Sequence, residues 1–214
     1  IALLIIVGGI GFLVITDIHS WGYKKFKKIE NHPHLALHTV VVLKTTVALL
    51  IVGTVLFLIF EYNNTLADMN FFQKLHASFF QSTTARTAGF ASIDVGQQLD
   101  ITKMLTIILM FIGASPSSTG GGIKTTTFVV IIATVLSVLR GKNETVLKKR
   151  RVDRTVVYRS LAIVVLSVLV VCITTIVVAI AESSNNVSAL DALFETVSAF
   201  GTVGLTAGIT PGLT

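Results

Sequence analysis

Charged residues are scarce in this chain. Asp, Glu, Lys and Arg make up 13% of its 214 residues, about half the share in an average soluble domain, while 52% of the residues are hydrophobic and the mean hydropathy is +0.82. Because a helix needs roughly 20 apolar residues to cross a bilayer, this composition excludes an ordinary soluble domain and predicts an integral membrane protein. Cysteine is scarcer still: Cys172 is the single one, so the chain cannot form an internal disulfide.

Residue sets that carry catalysis or hold a resident metal ion are also missing from the sequence. The five histidines have no cysteine or carboxylate at the spacing of a metal site, and no Ser–His–Asp set or paired carboxylates stand out. The sequence therefore predicts a protein that is not an enzyme and has no catalytic residues. The formal charge of +6 does not indicate nucleic acid binding, because Lys and Arg of a membrane protein collect in its cytoplasmic loops.

Apolar runs alternate with loops of opposite charge character. The runs that belong to membrane-spanning segments cover residues 1–18, 39–60, 101–139 and 158–181. The basic stretches 24–28 and 140–159 are predicted to lie in the cytoplasm, and the segments 61–103 and 182–195, with more acids than bases, outside. The chain begins without Met inside an apolar run, and we expect it to be a piece of a longer polypeptide.

Two segments 115 positions apart have nearly the same pattern. Leu75–Phe90 and Leu190–Leu205 each begin as a short amphipathic helix, predicted at 75–84 and 190–199, and each ends in Thr-small-Gly-apolar. A helix of about 10 residues is too short to cross a bilayer. Each segment is therefore predicted to be re-entrant, entering and leaving the membrane on its outer side.

The two Thr-x-Gly turns are predicted to coordinate a cation through backbone carbonyl groups. The sequence of residues 202–205, Thr-Val-Gly-Leu, is close to the TVGY core of a potassium-channel filter, where carbonyl oxygens replace the ion's water shell. Glycine permits the necessary backbone conformations, and the preceding helix aims the negative end of its dipole at the turn. An ordinary loop returning from an interfacial helix is the alternative. The predicted ion-binding residues are Thr87, Ala88, Gly89, Phe90, Thr202, Val203, Gly204 and Leu205.

The apolar region between 99 and 139 is interrupted by a proline and three successive glycines, which oppose a helix. Non-helical backbone at membrane depth must be buried in protein or line a wet cavity, so we predict a loop below the filter that blocks or opens the path. A simple exit loop between two short helices is the alternative. The predicted gating loop consists of Gly113, Ala114, Ser115, Pro116, Ser117, Ser118, Thr119, Gly120, Gly121 and Gly122, with Lys124 at its end.

Arg86 lies one residue before the first Thr-x-Gly turn, where the second copy has Gly201. An unpaired cation beside a cation path repels ions. We therefore expect Arg86 to hold the loop from behind and to be paired, with Asp94 as a candidate partner and further candidates in Glu61, Asp68 and Asp100.

The pattern divides the chain into modules of span, outer loop, short helix, filter-like turn and span. Residues 37–140 hold one complete copy, with 113–122 as the break in its second span, and residues 158–214 hold the next copy without its last helix. Residues 1–36 are predicted to contain the closing helix of a preceding copy and a cytoplasmic loop, and 141–157 a basic cytoplasmic loop.

Three segments carry a family resemblance. Residues 84–90 read Thr-Ala-Arg-Thr-Ala-Gly-Phe, 200–206 read Phe-Gly-Thr-Val-Gly-Leu-Thr, and 113–126 read Gly-Ala-Ser-Pro-Ser-Ser-Thr-Gly-Gly-Gly-Ile-Lys-Thr-Thr. Together they resemble the Trk/Ktr/HKT superfamily of potassium transporters, most of all the membrane subunits of bacterial Ktr systems. The resemblance implies an all-α integral membrane fold, in which four span–re-entrant pore helix–span modules surround one pore in pseudo-fourfold arrangement. This chain would supply repeats three and four, and repeats one and two of the same polypeptide would complete the pore.

The same resemblance implies a function and partners. It implies potassium uptake across the bacterial plasma membrane by a multi-pass, pore-forming subunit, with K⁺ as the transported ion and Na⁺ as a second candidate. Gly89 and Gly204 would be the key filter glycines of their repeats, and 113–126 the intramembrane gating loop. A homodimer with one pore per subunit and a cytosolic nucleotide-binding regulatory ring are implied as well, besides contact with the lipid bilayer.

Other functions compete with this one. A Trk-type potassium transport subunit has the same motifs. A secondary carrier with discontinuous helices also has broken spans at the membrane midplane, but it predicts side-chain ligands and inverted repeats, whereas the two copies here have the same orientation. A membrane-anchored interaction protein would need no repeated Thr-x-Gly turn.

Overall fold

The computed structural model describes residues 1–27, 34–142, 144–147, 150–182 and 187–210. Parts of the predicted basic stretches 24–28 and 140–159, part of the outer segment 182–195 and the end of the last module therefore lie outside the described residues.

The described chain is mostly helical. In chain order its helices are α1 (Ala2–Ile10), α2 (Phe12–Phe26), α3 (Leu37–Glu61), α4 (Phe71–Thr84), α5 (Asp100–Phe111), α6 (Thr125–Leu139), α7 (Arg154–Ala181) and α8 (Ala189–Phe200). A two-stranded antiparallel hairpin, β1 (Val146–Leu147) and β2 (Arg150–Arg151), stands between α6 and α7. The predicted helical class is confirmed, and the small hairpin is an addition that the sequence did not predict, because its strands are too short to show alternation.

Within the described ranges, two helices are long and apolar enough to cross a membrane. They are α3 with 25 residues and α7 with 28; at 1.5 Å per residue each exceeds the roughly 30 Å of a hydrocarbon core. The bent pair α1–α2 would make a third span. Only Ser160, Ser167 and Val171 are buried along α7, so most of its apolar surface lies open.

The two short helices begin where the sequence places capping residues. In α4 the Asn70 side chain and Gln73 form a capping box, and in α8 the Ser188 hydroxyl accepts the N–H of Leu190. Such caps satisfy backbone donors that the first helical turn leaves free. The helices cover the predicted ranges 75–84 and 190–199 and start slightly earlier.

Each short helix is held by a longer neighbour. Helix α4 packs on α3 where Gly53 lacks a side chain, and the Ser82 hydroxyl there donates to the carbonyl of Leu50 at 3.2 Å. Helix α8 lies between α5 and α7, and the ammonium group of Lys103 bonds the carboxylate of Asp191 at 2.8 Å. The core sits in this α5–α8 contact, around Met110, Phe194 and Val197, which are essentially unexposed.

Residues 1–18, predicted as the end of one spanning helix, instead divide into α1 and α2. The two helices meet at 91° around Gly11, whose φ is 93°. The loop after α5 supplies the hydrogen bonds that the break removes: Ser115 N–H donates to the Gly9 carbonyl and Phe12 N–H to the Ser117 carbonyl, both at 3.0 Å. Hydropathy continues unchanged through the break, so the apolar pattern alone could not reveal it.

Candidate functional site

The chain leaves α4 and α8 through two turns with the same backbone conformation. Thr87 and Thr202 have φ values of 75° and 52°, and Gly89 and Gly204 have φ values of 75° and 88°. A left-handed conformation is ordinary for glycine but costly for β-branched threonine. The same costly conformation at equivalent positions of both copies therefore indicates a shared function of the backbone.

The carbonyl groups of these turns accept no hydrogen bond within the described residues, unlike carbonyl groups inside a helix. Among the described residues, no N–H or O–H donates a hydrogen bond to the carbonyl oxygens of residues 87–89 or 202–204. Buried backbone carbonyls in proteins almost always have a partner, and residues 87–89 and Val203 are half-buried or buried, whereas Thr202 and Gly204 are exposed. These six oxygens are thus available to a ligand that accepts electron pairs, which is what a dehydrated cation does.

The next carbonyl group of each turn is engaged. The Thr84 hydroxyl donates to the Phe90 carbonyl at 2.8 Å, and the Ser198 hydroxyl donates to the Leu205 carbonyl at 2.6 Å. In both copies a hydroxyl at the end of the short helix therefore holds the far side of the turn. The predicted coordinating roles of Phe90 and Leu205 stay predictions, with carbonyls that already have one partner.

The two turns lie against each other. A Cβ added to Gly89 would overlap the carbonyl oxygen of Val203, whereas the nearest atom to a Cβ on Gly204 is the Cα of Gly89, at 3.9 Å. The side chain of Val203 is buried, while Thr202 and Gly204 are exposed. The backbones of the two turns are thus in direct contact at Gly89 and Val203.

The segment predicted as the gating loop contacts both turns. A Cβ on Gly120 would overlap the Thr87 hydroxyl, and one on Gly121 would lie 2.7 Å from the Thr202 hydroxyl. The N–H of Gly121 also donates to that Thr202 hydroxyl at 2.9 Å. Two glycines are needed side by side because the loop backbone lies directly on the two threonine side chains.

The loop keeps its shape through bonds to itself and to its neighbours. At its neck the Ala114 N–H donates to the Gly121 carbonyl at 3.3 Å, and the Lys124 ammonium group donates to the Gly120 carbonyl. The Thr125 hydroxyl donates to the Ser115 hydroxyl at 3.1 Å. On the other side the loop occupies the break between α1 and α2. It is therefore positioned by hydrogen bonds at both ends, with its glycines facing the turns.

The predicted ion partners of Arg86 are not found. Among the described residues Arg86 makes no ion pair, and its buried Nε has no hydrogen-bond partner. Asp94 instead accepts the N–H of Gly96 at 2.9 Å, and Glu61 accepts hydrogen bonds from Asn64, Thr65 and Leu99. Other donors satisfy these two carboxylates, so the closeness of Asp94 to Arg86 in sequence did not lead to pairing. The Arg86 side chain is only 7% exposed; that it holds the loop from behind stays a prediction.

The sequence analysis did not identify two residues that contribute to this site, Gly11 and Glu195. Gly11 accommodates the carbonyl of Pro116 in the bend of α1–α2, and only its glycine identity could have drawn attention to it. Glu195, in the middle of α8, accepts from the Thr206 hydroxyl at 2.6 Å and the Ala207 N–H at 3.0 Å, and so holds the chain after the second turn. The available signal was a carboxylate in the middle of a short helix whose other acid, Asp191, lies in the first turn.

Comparison with known proteins shows the family of the chain. The model of the TrkH family, described as cation transport protein, matches residues 1–214. The chain is 42% identical to Ktr system potassium uptake protein B of Bacillus subtilis (strain 168), over 100% of this chain and 46% of that protein. It is also 42% identical to the potassium/sodium uptake protein NtpJ of Enterococcus hirae, with the same coverage of 100% and 46%.

A solved structure has the same fold. The crystal structure of the potassium transporter TrkH from Vibrio parahaemolyticus superposes with a TM-score of 0.70 at 13% identity, over 96% of this chain and 44% of that one. The chain spans about half the length of the curated relatives that it matches.

Proposed function

Because the chain belongs to the TrkH family of cation transport proteins, we propose that it forms half of a potassium-conducting pore in a bacterial plasma membrane. The names of its relatives concern potassium uptake, and in one case potassium and sodium uptake. We therefore assign K⁺ as the transported ion and Na⁺ as a second candidate. Since the chain covers about half of these relatives, repeats one and two of the same polypeptide would complete a pseudo-fourfold ring.

The observation that carries the proposal is the meeting of two turns with matched conformation and free carbonyl groups. A cation that enters a narrow pore must give up water, and carbonyl oxygens can replace it. Helices α4 and α8 end directly at the turns, so the negative ends of both helix dipoles add to the attraction. Oxygens of the backbone, at residues 87–89 and 202–204, act as ligands in this proposal, and side chains do not.

The glycine loop would be the barrier of this pore. Its contacts with Thr87 and Thr202 support a position directly below the filter, where its backbone obstructs the path. Three successive glycines have many accessible conformations, so the loop can leave this position without unfolding a helix. The ammonium group of Lys124, bonded to the Gly120 carbonyl, holds the loop closed.

Regulation would reach the loop through the helices on either side of it. Helix α6 follows Lys124 directly and ends next to the basic segment 140–142, and α2 is bonded to the loop through the Phe12 N–H. A homodimer and a cytosolic nucleotide-binding ring are the partners that we propose, and both helices end on the side where such a ring would act.

Rubidium uptake by the full-length protein in potassium-transport-deficient cells tests the function. We expect uptake that K⁺ inhibits more strongly than Na⁺, and we expect Gly89→Ser and Gly204→Ser to weaken that preference by displacing the carbonyl groups. Gly22→Ser is the matched control, because Gly22 has ordinary φ and no atom within 4 Å of an added Cβ.

The proposal fails if the full-length protein expresses in the membrane but takes up no rubidium. The filter assignment alone fails if both filter variants keep the wild-type preference for K⁺ at normal expression.

A further inference from the structure

A cavity of about 250 Å³ lies where α6 ends and α7 begins, away from the two turns and the glycine loop. The hairpin β1–β2 forms one of its walls. The volume is several times the roughly 30 Å³ that one water molecule occupies in the liquid. Its lining includes the charged and aromatic side chains of Lys142, Glu144, Arg151, Arg154 and Tyr158.

The charge of the lining is positive. Three basic side chains face one acid, and that acid, Glu144, forms an ion pair with Arg151. Lys142 and Arg154 make no ion pair with any residue in the described ranges. The Thr134 hydroxyl donates to the Val130 carbonyl at 2.8 Å and lies 3.1 Å from the Thr145 hydroxyl, so these two groups bond within the protein. The cavity therefore offers an anion the unpaired positive charge of Lys142 and Arg154.

Exposed apolar side chains continue from the cavity along both helices. Val138 and Leu139 on the last turn of α6 are 66% and 77% exposed, and Leu161 on α7 is 49% exposed. Tyr158, at the rim, is 67% exposed. Aromatic residues of this kind gather where membrane meets water. A ligand that binds here would meet positive charge at one end and an apolar helix surface at the other.

We propose that this cavity binds the phosphate headgroup of an anionic phospholipid. The basic lining would bond the phosphate oxygens while the acyl chains lie along the apolar sides of α6 and α7. Basic pockets at the cytoplasmic ends of membrane helices favour such headgroups. A free phosphate ion or an acidic protein segment would use the charge and leave the adjoining apolar surface unused. The inference rests on the proposed membrane placement of α6 and α7, and it does not depend on ion conduction.

Lipid retention by the purified full-length protein tests this site. Native mass spectrometry would compare phosphatidylglycerol, phosphatidylcholine with matched acyl chains, and inorganic phosphate. A basic residue near an anionic membrane surface contributes about fivefold in affinity. We expect the wild type to prefer phosphatidylglycerol at least fivefold, and the double variant Lys142→Gln, Arg154→Gln to lose most of that preference. These substitutions leave the Arg151–Glu144 pair intact.

The matched control removes the same number of charges outside the cavity. Arg140→Gln combined with Arg150→Gln should keep the wild-type preference, because both side chains are exposed and neither lines the cavity. A second measurement needs no change of charge: in a background with Trp21→Phe, the fluorescence of Tyr158→Trp should be quenched more by brominated phosphatidylglycerol than by brominated phosphatidylcholine.

Three results would overturn the proposal. One is an equal loss of lipid preference in the control, and another is equal quenching of the tryptophan by both brominated lipids. The third has two parts: the wild type shows no preference among the lipids, and it binds inorganic phosphate or a polyglutamate peptide that the double variant at Lys142 and Arg154 does not bind. If the full-length protein prefers phosphatidylglycerol but takes up no rubidium, the proposed pore is wrong and the proposed lipid site is retained.

Discussion

The two filter glycines should tolerate an added methyl group very differently. Both have left-handed φ, so Gly→Ala at either position costs about 1–2 kcal/mol of backbone strain. At Gly89 the new Cβ would also overlap the carbonyl oxygen of Val203, a backbone atom that cannot rotate away. At Gly204 its nearest neighbour in the described chain is 3.9 Å away, an ordinary van der Waals contact.

The expected difference follows from that overlap. Forcing extra volume into a tight contact typically costs about 1–3 kcal/mol, which adds to the strain at Gly89 but not at Gly204. We expect Gly89→Ala to destabilise the full-length protein by about 2–5 kcal/mol and Gly204→Ala by about 1–2 kcal/mol. The lost space at Gly89 would also push the Val203 carbonyl out of line, so K⁺ preference should fall furthest in that variant.

The assay combines thermal unfolding of the purified protein with competition between K⁺ and Na⁺ for rubidium uptake. Gly22→Ala, in open space on α2, is the control and should leave both unchanged. Equal losses of stability in Gly89→Ala and Gly204→Ala would refute the close approach of the two turns. A larger loss at Gly204 would show that the missing repeats pack on that glycine more tightly than Val203 packs on Gly89.

Three further predictions concern the loop and the orientation of the chain. Deletion of part of Pro116–Gly121 should raise ion flux and weaken regulation by a cytosolic partner, because the loop lies on both turns; decreased or unchanged flux in a folded variant would make the break a structural turn only. Gly11→Ala should also raise flux, by displacing the Pro116 carbonyl with which its Cβ would overlap, and wild-type flux in this variant would exclude coupling through the α1–α2 bend. In a background with Cys172→Ser, a cysteine at exposed Asn63 should react with a membrane-impermeant thiol reagent from outside, and one at exposed Arg150 only from inside; the reverse labelling would invert the proposed topology.

The helices could be predicted well because their signals are local. The ends of α3, α4, α7 and α8 lie within a few residues of the predicted ranges, since apolar length and capping residues act over one or two turns. The interruption after α5 was equally clear, because Pro116 and the three glycines oppose a helix wherever they occur. The repeat of Thr-x-Gly at an interval of 115 residues predicted that both copies share a backbone conformation, and their φ values agree.

Which carboxylates would pair with Arg86 could not be predicted in the same way. Pairing depends on which donors reach a carboxylate first, and the Gly96 N–H lies only two residues from Asp94. A short local bond of this kind costs little chain entropy, whereas a bond to Arg86 would have to bring two separate turns together.

By itself the sequence determined that this is a helical membrane protein, that the apolar region after α5 is interrupted, and which backbone segments are duplicated. Those properties depend on composition and on contacts between near neighbours along the chain. Only the tertiary structure decided that Gly120 and Gly121 rest on Thr87 and Thr202, that Gly11 receives the loop, and that Gly89 is crowded while Gly204 is open. A glycine in a sequence shows that a Cβ is absent, but which atom fills the space left by that Cβ depends on segments far apart in the chain that meet only in the folded protein.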